Sequence, residues 1–396
     1  MSKLLVIGGS HSDIPLIESA LLRGLQVYTT GNRADHPGHW WSHKYVPADF
    51  SDVEAMLDVA RSIGVDYVVP GANDFAMMSA AYVAEQLKLP GYDCFANTLL
   101  LHRKDQFKEL ATALGLPVCR HIVVNSQDIA DARSRVDSLS FPLMIKPVDL
   151  TGGKGISKIS SVEQLQLAMD KATAMTHQDK LVIEEWFDGE LHSFSMVIEN
   201  GDVVFDYCDT ELCLFKDYLV STSMSIGSIS ANAAQAVRNA TTRLARQLGL
   251  VDGVLHSQIL VRGDNVRILE YTRRMSGDLY SKVVQMVRGI RHADVFIDAA
   301  MGRSVQVGLV SVLPCHSFVV RHCVTAEADG VFYGVDVAEE VRPYVQSLTL
   351  AIPFGTTVVG DGSSKVATVI LSFPREEEMK RFVARCKTTV KCKVRL

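Results

Sequence analysis

The sequence predicts a chain of three parts that combines α/β with α+β organisation. In residues 1–100, apolar runs of strand length alternate with segments of helical spacing, which predicts a doubly wound parallel sheet. Two later strand pairs turn at "ENGD" and "RGDN", which is typical of antiparallel hairpins. Short strands predominate toward the carboxyl end. We therefore expect domains over residues 1–100, 101–303 (lobes of about 101–180 and 181–303) and 304–396, the last being small and β-rich.

The N-terminal elements follow one another in the order of a parallel sheet. "KLLVIGG" is typical of a buried strand ending at glycine, "IPLIESALLRGL" has helical spacing, and "QVYTTG", "HKYVPADF" and "VDYVVPG" complete four strands. Ligands gather at the carboxyl ends of such strands, so Asn73 and Asp74 are candidates for substrate contact, with a turn role as the alternative. The first turn, "GGSHSDIP", lacks the G-x-G-x-x-G spacing of dinucleotide-binding folds. The predicted parallel sheet is therefore the one feature that favours a nicotinamide oxidoreductase.

The stretch "FPLMIKPVDLTGGKGISKI" predicts a phosphate-binding device. A Walker loop would open a helix, but here the glycine cluster continues into a β-rich segment. A glycine-rich flap between two antiparallel strands fits better, because its backbone N–H groups can close over phosphates. Lys146 ends the apolar strand and would supply a fixed positive charge. The flap glycines are Gly152, Gly153 and Gly155.

The bulk composition excludes some classes of protein. The net charge of −5 and the pI of about 6.2 argue against a nucleic-acid binder, which needs a basic surface. Apolar runs stay below the roughly 18 residues of a membrane span, and the start of the sequence does not resemble a signal peptide. The eight cysteines include no C-x-x-C pair. These features predict a reduced, cytoplasmic protein without membrane or nucleic-acid partners.

Four segments together resemble the ATP-grasp enzymes, and the match covers most of the chain in the right order. They are "HRKDQFKELATALGLP", "FPLMIKPVDLTGGKGIS", "VIEEWFDGE" and "HSQILVRGDNVRILEYTRRMSGD". The resemblance is to carboxylate–amine ligases, including amino-acid ligases that make dipeptides, and to purine-pathway ligases and carboxylases. It implies a pre-ATP-grasp N-terminal domain, a two-lobed ATP-grasp domain, and ATP with Mg²⁺ as cofactors.

The resemblance also implies a nucleotide site. Lys104, on a helix predicted over Leu100–Gly115, and Lys146 would hold the α- and β-phosphates. "EEWF" would be the hinge strand, with backbone groups of Glu184 and Phe187 on the adenine edge. The family's ribose-binding glutamate falls near Leu191, where Glu190 is the nearest acid. The implied cofactor-binding residues are Lys104, Lys146, Gly152, Gly153, Lys154, Gly155, Glu184, Glu185, Trp186, Phe187 and Glu190.

The implied metal and catalytic residues depart from the family pattern. Glu270 matches a metal-binding glutamate and Arg274 a catalytic arginine, whose planar fork suits a developing oxyanion. A second acidic ligand is expected where this chain has Gln258, and an asparagine where it has Thr272. Amide and hydroxyl oxygens remain suitable for Mg²⁺, but one carboxylate charge is lost, which favours one ion over two. Further candidates for substrate contact are His256, on the strand face of Gln258, and Ser276 and Gly277.

The predicted function is an ATP-dependent ligase that joins a carboxylate, an amino acid or small acid, to an amine through an acyl phosphate. Lys146 and Arg274 are the predicted catalytic residues. The first alternative is a purine-pathway-like ligase or carboxylase, whose sugar-phosphate substrate would need an additional basic cluster. The second is an ATP-binding module with a degenerate metal site. By analogy with relatives, a homodimer is the expected assembly.

Overall fold

The computed structural model describes residues 1–226, 229–305 and 316–395. Its N-terminal part confirms the predicted parallel sheet, with strand order β3-β2-β1-β4 and every pair parallel. Asp52 caps the second helix and Gly64 ends it in the left-handed region, as the glycine stop predicts. The elements are β1 Lys3–Ile7, α1 Ile14–Leu22, β2 Gln26–Gly31, β3 Lys44–Pro47, α2 Val53–Ile63, β4 Tyr67–Pro70 and α3 Asp74–Leu87.

A four-stranded antiparallel sheet of order β5-β8-β6-β7 follows. Its elements are α4 Phe95–His102, α5 Lys104–Ala113, β5 His121–Asn125, α6 Ile129–Val136, β6 Leu143–Pro147, β7 Ser157–Ile159, α7 Leu165–Thr173 and β8 Lys180–Glu185. The prediction of one helix over Leu100–Gly115 is wrong, because Arg103 is extended (ψ 110) and separates α4 from α5. The Lys104 backbone N–H donates to the Val148 carbonyl at 3.1 Å, which ties the start of α5 to the segment after β6.

The largest sheet has eight strands in the order β13-β12-β9-β10-β11-β14-β18-β16. Both predicted hairpins are present in it, as β9–β10 and β12–β13. β10 extends to Leu212 and β11 follows ten residues later; residues 227 and 228 fall outside the described part. The first elements are β9 Glu190–Glu199, β10 Asp202–Leu212, β11 Thr222–Met224, α8 Ala231–Leu248, β12 Gly253–Arg262, β13 Asn265–Thr272, α9 Tyr280–Arg288 and α10 His292–Ala300.

The C-terminal part is rich in strands, as predicted, and ends in a helix and a strand. Three of its strands continue the eight-stranded sheet, because β14 pairs with β11. The others form a small sheet of order β17-β15-β19. Residues 306–315 and 396 lie outside the described residues. The elements are β14 Phe318–Thr325, β15 Gly330–Val337, β16 Val345–Leu350, β17 Thr357–Val358, β18 Lys365–Phe373, α11 Glu376–Thr389 and β19 Val390–Arg395.

One hydrophobic core joins the N-terminal sheet to the eight-stranded sheet. Val6 of β1, Ile17 of α1, Val254 of β12 and Tyr280 of α9 are buried in the same cluster. Burial of this apolar surface holds the carboxyl ends of β1 and β4 against the hairpin β12–β13. The cavity described below lies at this junction. Among the described helices, none has the length and apolarity needed to cross a membrane.

Candidate active site

A cavity of about 840 Å³ collects most of the predicted site residues. It is bounded by the flap, the end of β8, the hairpin β12–β13 and the loops after β1 and β4. Lys154, Gly155 and Glu190 do not line it. The predicted residues that do are Asn73, Asp74, Lys104, Lys146, Gly152, Gly153, Glu184, Glu185, Trp186, Phe187, His256, Gln258, Glu270, Thr272, Arg274, Ser276 and Gly277.

Two lysines and a glutamate form a buried charged cluster at one end of the cavity. Lys146 of β6 pairs with one carboxylate oxygen of Glu184, and Lys108 of α5 lies 2.7 Å from the other. Burial alone would raise the pKa of Glu184, but the two lysines lower it to about 2. The predicted role of Glu184 was a backbone contact with adenine. Its side chain instead fixes two cations, while its backbone lies inside β8, between β5 and β6.

Lys108 was missed by the sequence analysis, although a signal for it exists. It follows Lys104 by four residues, so the two lie on the same face of α5. The Lys104 ammonium donates to the Leu150 carbonyl at 2.5 Å, next to the flap. Burial lowers the pKa of Lys104. The cavity therefore has three lysines at one end, of which Lys108 and Lys146 share the single negative charge of Glu184.

The flap has the backbone of a glycine loop. Gly152, Gly153 and Gly155 have φ of 66°, 76° and 71°, in the left-handed region. A Cβ on Gly153 would lie 2.9 Å from the carbonyl oxygen of Tyr218. The flap therefore packs closely against the segment that precedes β11, and glycine is needed at this contact.

The hinge segment leaves β8 after Glu185. The Glu185 N–H donates to the Arg120 carbonyl at 2.9 Å and the Trp186 N–H to the Pro142 carbonyl at 2.8 Å. These two N–H groups are therefore engaged within the protein. Glu190 was predicted near the ribose, but its side chain is 81% exposed. Side chains alternate along a strand, and its neighbour Leu191 faces the cavity, so Glu190 points away from it.

The three predicted metal ligands lie on the β12–β13 hairpin. Gln258 pairs with Glu270 across the two strands, and His256 pairs with Thr272. Directly opposed side chains of antiparallel strands lie about 5 Å apart. The hydroxyl oxygen of Thr272 is buried and has no hydrogen-bond partner among the described residues. These oxygen donors fit one Mg²⁺ shared with nucleotide phosphates, since Mg²⁺ usually takes one or two carboxylates from the protein.

Gln258 is held by a residue that the sequence analysis did not identify. Its amide nitrogen donates to a carboxylate oxygen of Glu211, on β10, at 2.6 Å. An ionised carboxylate only accepts hydrogen bonds, so Glu211 fixes the amide nitrogen toward itself. The carbonyl oxygen of Gln258 is then the atom left to contact a cation. Burial, and then the neighbouring Asp209, raise the pKa of Glu211.

Arg274 is oriented by the N-terminal domain. Its Nε donates to a carboxylate oxygen of Asp74 at 2.7 Å, and its Nη1 to the Met275 carbonyl at 3.0 Å. Burial would raise the pKa of Asp74, but Arg274 lowers it to about 2. Asn73 accepts from the N–H of Phe75 at 2.9 Å and so caps α3, which favours the turn alternative for this residue.

The C-terminal strands supply two further cations. Arg321 of β14 donates to the Gly277 carbonyl at 2.9 Å, and its Nη2 lies 3.8 Å from Glu211. Lys365 of β18 donates to Asp278 at 2.5 Å. The side chains of Arg321, Lys365, Glu211 and Asp278 all line the cavity. No local motif marks them, because strand pairing alone brings residues from β10, β14 and β18 together.

The comparisons with known proteins agree with this geometry. Residues 109–277 match the model of the ATP-grasp domain. The chain thus contains an ATP-grasp domain.

Its relatives include several particular enzymes. The chain is 22% identical over 350 residues to a formate-dependent phosphoribosylglycinamide formyltransferase of Corynebacterium jeikeium, covering 86% of this chain and 83% of that protein. It has the fold of an L-amino acid ligase from Bacillus licheniformis, with a TM-score of 0.82 at 20% identity and coverage of 100% and 99%. It also has the fold of a phosphoribosylglycinamide synthetase from Anaerococcus prevotii, with a TM-score of 0.79, 14% identity and full coverage of both chains.

Proposed function

We propose that this protein is an ATP-dependent ligase that joins a carboxylate to an amine through an acyl phosphate and releases ADP and phosphate. One observation carries the proposal. A single cavity contains a lysine cluster and a glycine flap at one end, and Glu270 with Arg274 beside them. The first set of residues suits the phosphates of ATP, and the second suits a reacting carboxylate.

In the proposed nucleotide site, Lys104 and Lys146 contact the α- and β-phosphates, and the backbone N–H groups of the flap cover them. Trp186 and Phe187, where the chain leaves β8, border the adenine. Lys158 lies 3.7 Å from the centre of the Trp186 ring and closes this side. Flap closure would exclude water, which otherwise hydrolyses an acyl phosphate.

In the first proposed step, a carboxylate oxygen attacks the γ-phosphorus while the bond to the bridging oxygen of ADP breaks. In the second, the amine attacks the acyl carbon, the bond to the phosphate oxygen breaks, and the amine loses a proton. Arg274 stabilises the negative charge that develops on the carbonyl oxygen, and Asp74 holds its guanidinium in place. Mg²⁺, held by Glu270, Gln258 and Thr272, would neutralise phosphate charge.

The relatives support a second candidate, a purine-pathway-like reaction on a phosphorylated amine. The names of the formyltransferase and the synthetase reported above both refer to phosphoribosylglycinamide. No basic cluster for such a substrate was evident in the sequence, but Arg321 and Lys365 both line the cavity, Lys365 as the partner of Asp278. We further propose that the protein acts in the reducing cytoplasm, which fits the seven free cysteines among the described residues. The proposed homodimer is testable by light scattering.

The test is chromatographic analysis of nucleotide products. The protein is incubated with Mg²⁺-ATP and pools of amino acids, small carboxylic acids and phosphoribosylamines, and compared with controls lacking each pool. ADP that depends on both an acid and an amine supports the ligase, and the active pool separates the two candidates. AMP and pyrophosphate would refute the acyl-phosphate mechanism. ATP binding with no turnover in any pool would favour a degenerate ATP-binding module.

A further inference from the structure

Glu211 is a buried acid whose charge is incompletely matched. Its side chain lines the cavity although the residue is only 5% exposed. One carboxylate oxygen accepts the hydrogen bond from Gln258, and the other lies 3.8 Å from Arg321 Nη2, beyond hydrogen-bond distance. A buried carboxylate without a bonded cation is costly, so this position favours a ligand that brings positive charge.

The other ion pairs in this part of the cavity are within hydrogen-bond distance. Arg274 lies 2.7 Å from Asp74, and Lys365 lies 2.5 Å from Asp278. Among the described ion pairs that line this part of the cavity, only Glu211 and Arg321 are too far apart, at 3.8 Å, to form a hydrogen bond. Both of its members therefore keep bonding capacity that faces the cavity.

A histidine forms part of the cavity wall at the same place. His256, on β12 beside Gln258, lines the cavity and is 6% exposed. Its Nδ1 is buried and has no hydrogen-bond partner among the described residues. The ring packs edge-on against Tyr280, with ring centres 5.3 Å apart, and forms part of the cavity wall beside Gln258.

We propose that the amine substrate is an amino acid, whose amino group binds Glu211 and whose carboxylate binds Arg321. This inference rests on the ligase function proposed above and names the class of its amine. A zwitterion satisfies both members of the open pair at once. Glu211 contacts Gln258, so the bound amino group would lie near the proposed metal ligands and Arg274. This is the part of the cavity where the acyl phosphate forms in the proposed reaction.

The charge balance disfavours a phosphorylated amine at this position. A phosphate carries nearly two negative charges and would have to be bound beside Glu211 and Asp278. Lys365 is already paired with Asp278, which leaves Arg321 as the cation to receive it. One carboxylate matches that single guanidinium, because the planar fork binds a carboxylate with two parallel hydrogen bonds.

The experiment separates activation of the acid from recognition of the amine. Hydroxylamine is a small neutral nucleophile that converts acyl phosphates into hydroxamates, so it reports on activation alone. Wild type and Glu211→Gln are each given Mg²⁺-ATP, the carboxylate pool and one of four nucleophiles: hydroxylamine, an amino-acid pool, the corresponding decarboxylated amines or a phosphoribosylamine. Asp206→Asn is the matched control, because it removes another carboxylate from β10, one that pairs with Arg238 and does not line the cavity.

For wild type, we expect amino acids to be used at least tenfold better, in kcat/KM, than the decarboxylated amines. Glu211→Gln should raise the KM for the amino acid at least tenfold, a larger factor than any loss of hydroxamate formation, because the glutamine amide oxygen can still accept the hydrogen bond that orients Gln258. Equal use of decarboxylated amines would overturn the inference, and so would a parallel loss of hydroxamate, which would place Glu211 with the metal ligands. Exclusive use of a phosphoribosylamine would also overturn it while leaving the ligase function intact. Wild type that forms neither ADP nor hydroxamate would refute the proposed function itself.

Discussion

Replacing Glu184 by glutamine tests the buried lysine cluster. In the native protein this carboxylate is 2% exposed and lies between Lys108 and Lys146. Its pKa is lowered from 4.5 to about 2, and each pKa unit corresponds to about 1.4 kcal/mol, so the lysines offset the cost of burial and leave the ionised form stabilised by a net of about 3 kcal/mol. Because the folded-state pKa is depressed, this stabilisation is present above pH 4.5 and is lost as the pH falls toward 2.

Glu184→Gln leaves two buried ammonium groups without a counter-charge. Breaking a buried pair in this way costs about 3–5 kcal/mol, which agrees with the figure from the pKa. We therefore expect the free energy of unfolding at pH 7, measured by urea denaturation, to fall by about 3 kcal/mol. Mg²⁺-ATP should restore part of it, because the phosphates bring negative charge to the same lysines, and the ATP-induced gain should exceed that of wild type.

Glu185→Gln is the matched control. Glu185 is the next residue, and its carboxylate lies 3.3 Å from Arg120, whose side chain is 66% exposed. Ion pairs with an exposed partner contribute less than about 1 kcal/mol, and the glutamine amide oxygen can still accept the hydrogen bond from the Ser140 N–H, so this variant should stay close to wild type. If Glu184→Gln is as stable as Glu185→Gln, or if ATP stabilises it less than wild type, the lysines are not held by Glu184 and the account of the nucleotide end is wrong.

Three further predictions concern separate parts of the molecule. Lys146→Met should abolish the ATP-induced rise in Tm, whereas Lys154→Met, in the flap but outside the cavity lining, should keep more than half of it; equal losses would contradict the assignment. Burial lowers the pKa of His322 from 6.5 to about 4. As the pH falls, the histidine therefore takes up a proton in the unfolded state before it does so in the folded state. Between pH 7 and pH 5, the free energy of unfolding of wild type should fall by about 2 kcal/mol more than that of His322→Asn. A difference that is constant with pH would refute this. Gln258→Glu should weaken ATP-dependent stabilisation, and adding Glu211→Gln to it should restore the hydrogen bond and most of the stability; a large rise in turnover in the single variant would instead indicate a degenerate site.

How much of the molecule was predictable depended on how far apart in sequence the contacting residues lie. The parallel sheet, the flap and the hairpin partners Gln258 and Glu270 follow from local patterns, since strand runs, glycine turns and hairpin register are encoded within about 20 residues. The break at Arg103 was missed because both helices have continuous helical composition, and the bond from Lys104 to Val148 that fixes the break is a tertiary contact.

The part of the cavity proposed to bind the amine could not be predicted from local sequence patterns. Glu211, Arg321 and Lys365 come from three strands far apart in the chain, and only the order of the eight-stranded sheet brings them together. Each looks like an ordinary strand residue by itself. Asp74 was predicted to contact substrate, with a turn role as the alternative, and its place as the partner of Arg274 depends on packing between the N-terminal sheet and the β12–β13 hairpin.

The same distance in sequence explains why Gln258 looked like a loss when it was compared only with its neighbours on the hairpin. In the fold, Glu211 approaches from β10 to within 2.6 Å of it. A glutamate at position 258 would set two carboxylates against each other in a buried site, and one of them would have to bind a proton. Glutamine instead donates to Glu211 and keeps an oxygen for a cation. The acid that the family pattern expects on β12 is thus not simply missing, because a carboxylate reaches the same wall of the cavity from β10, where it is also available to a substrate amine.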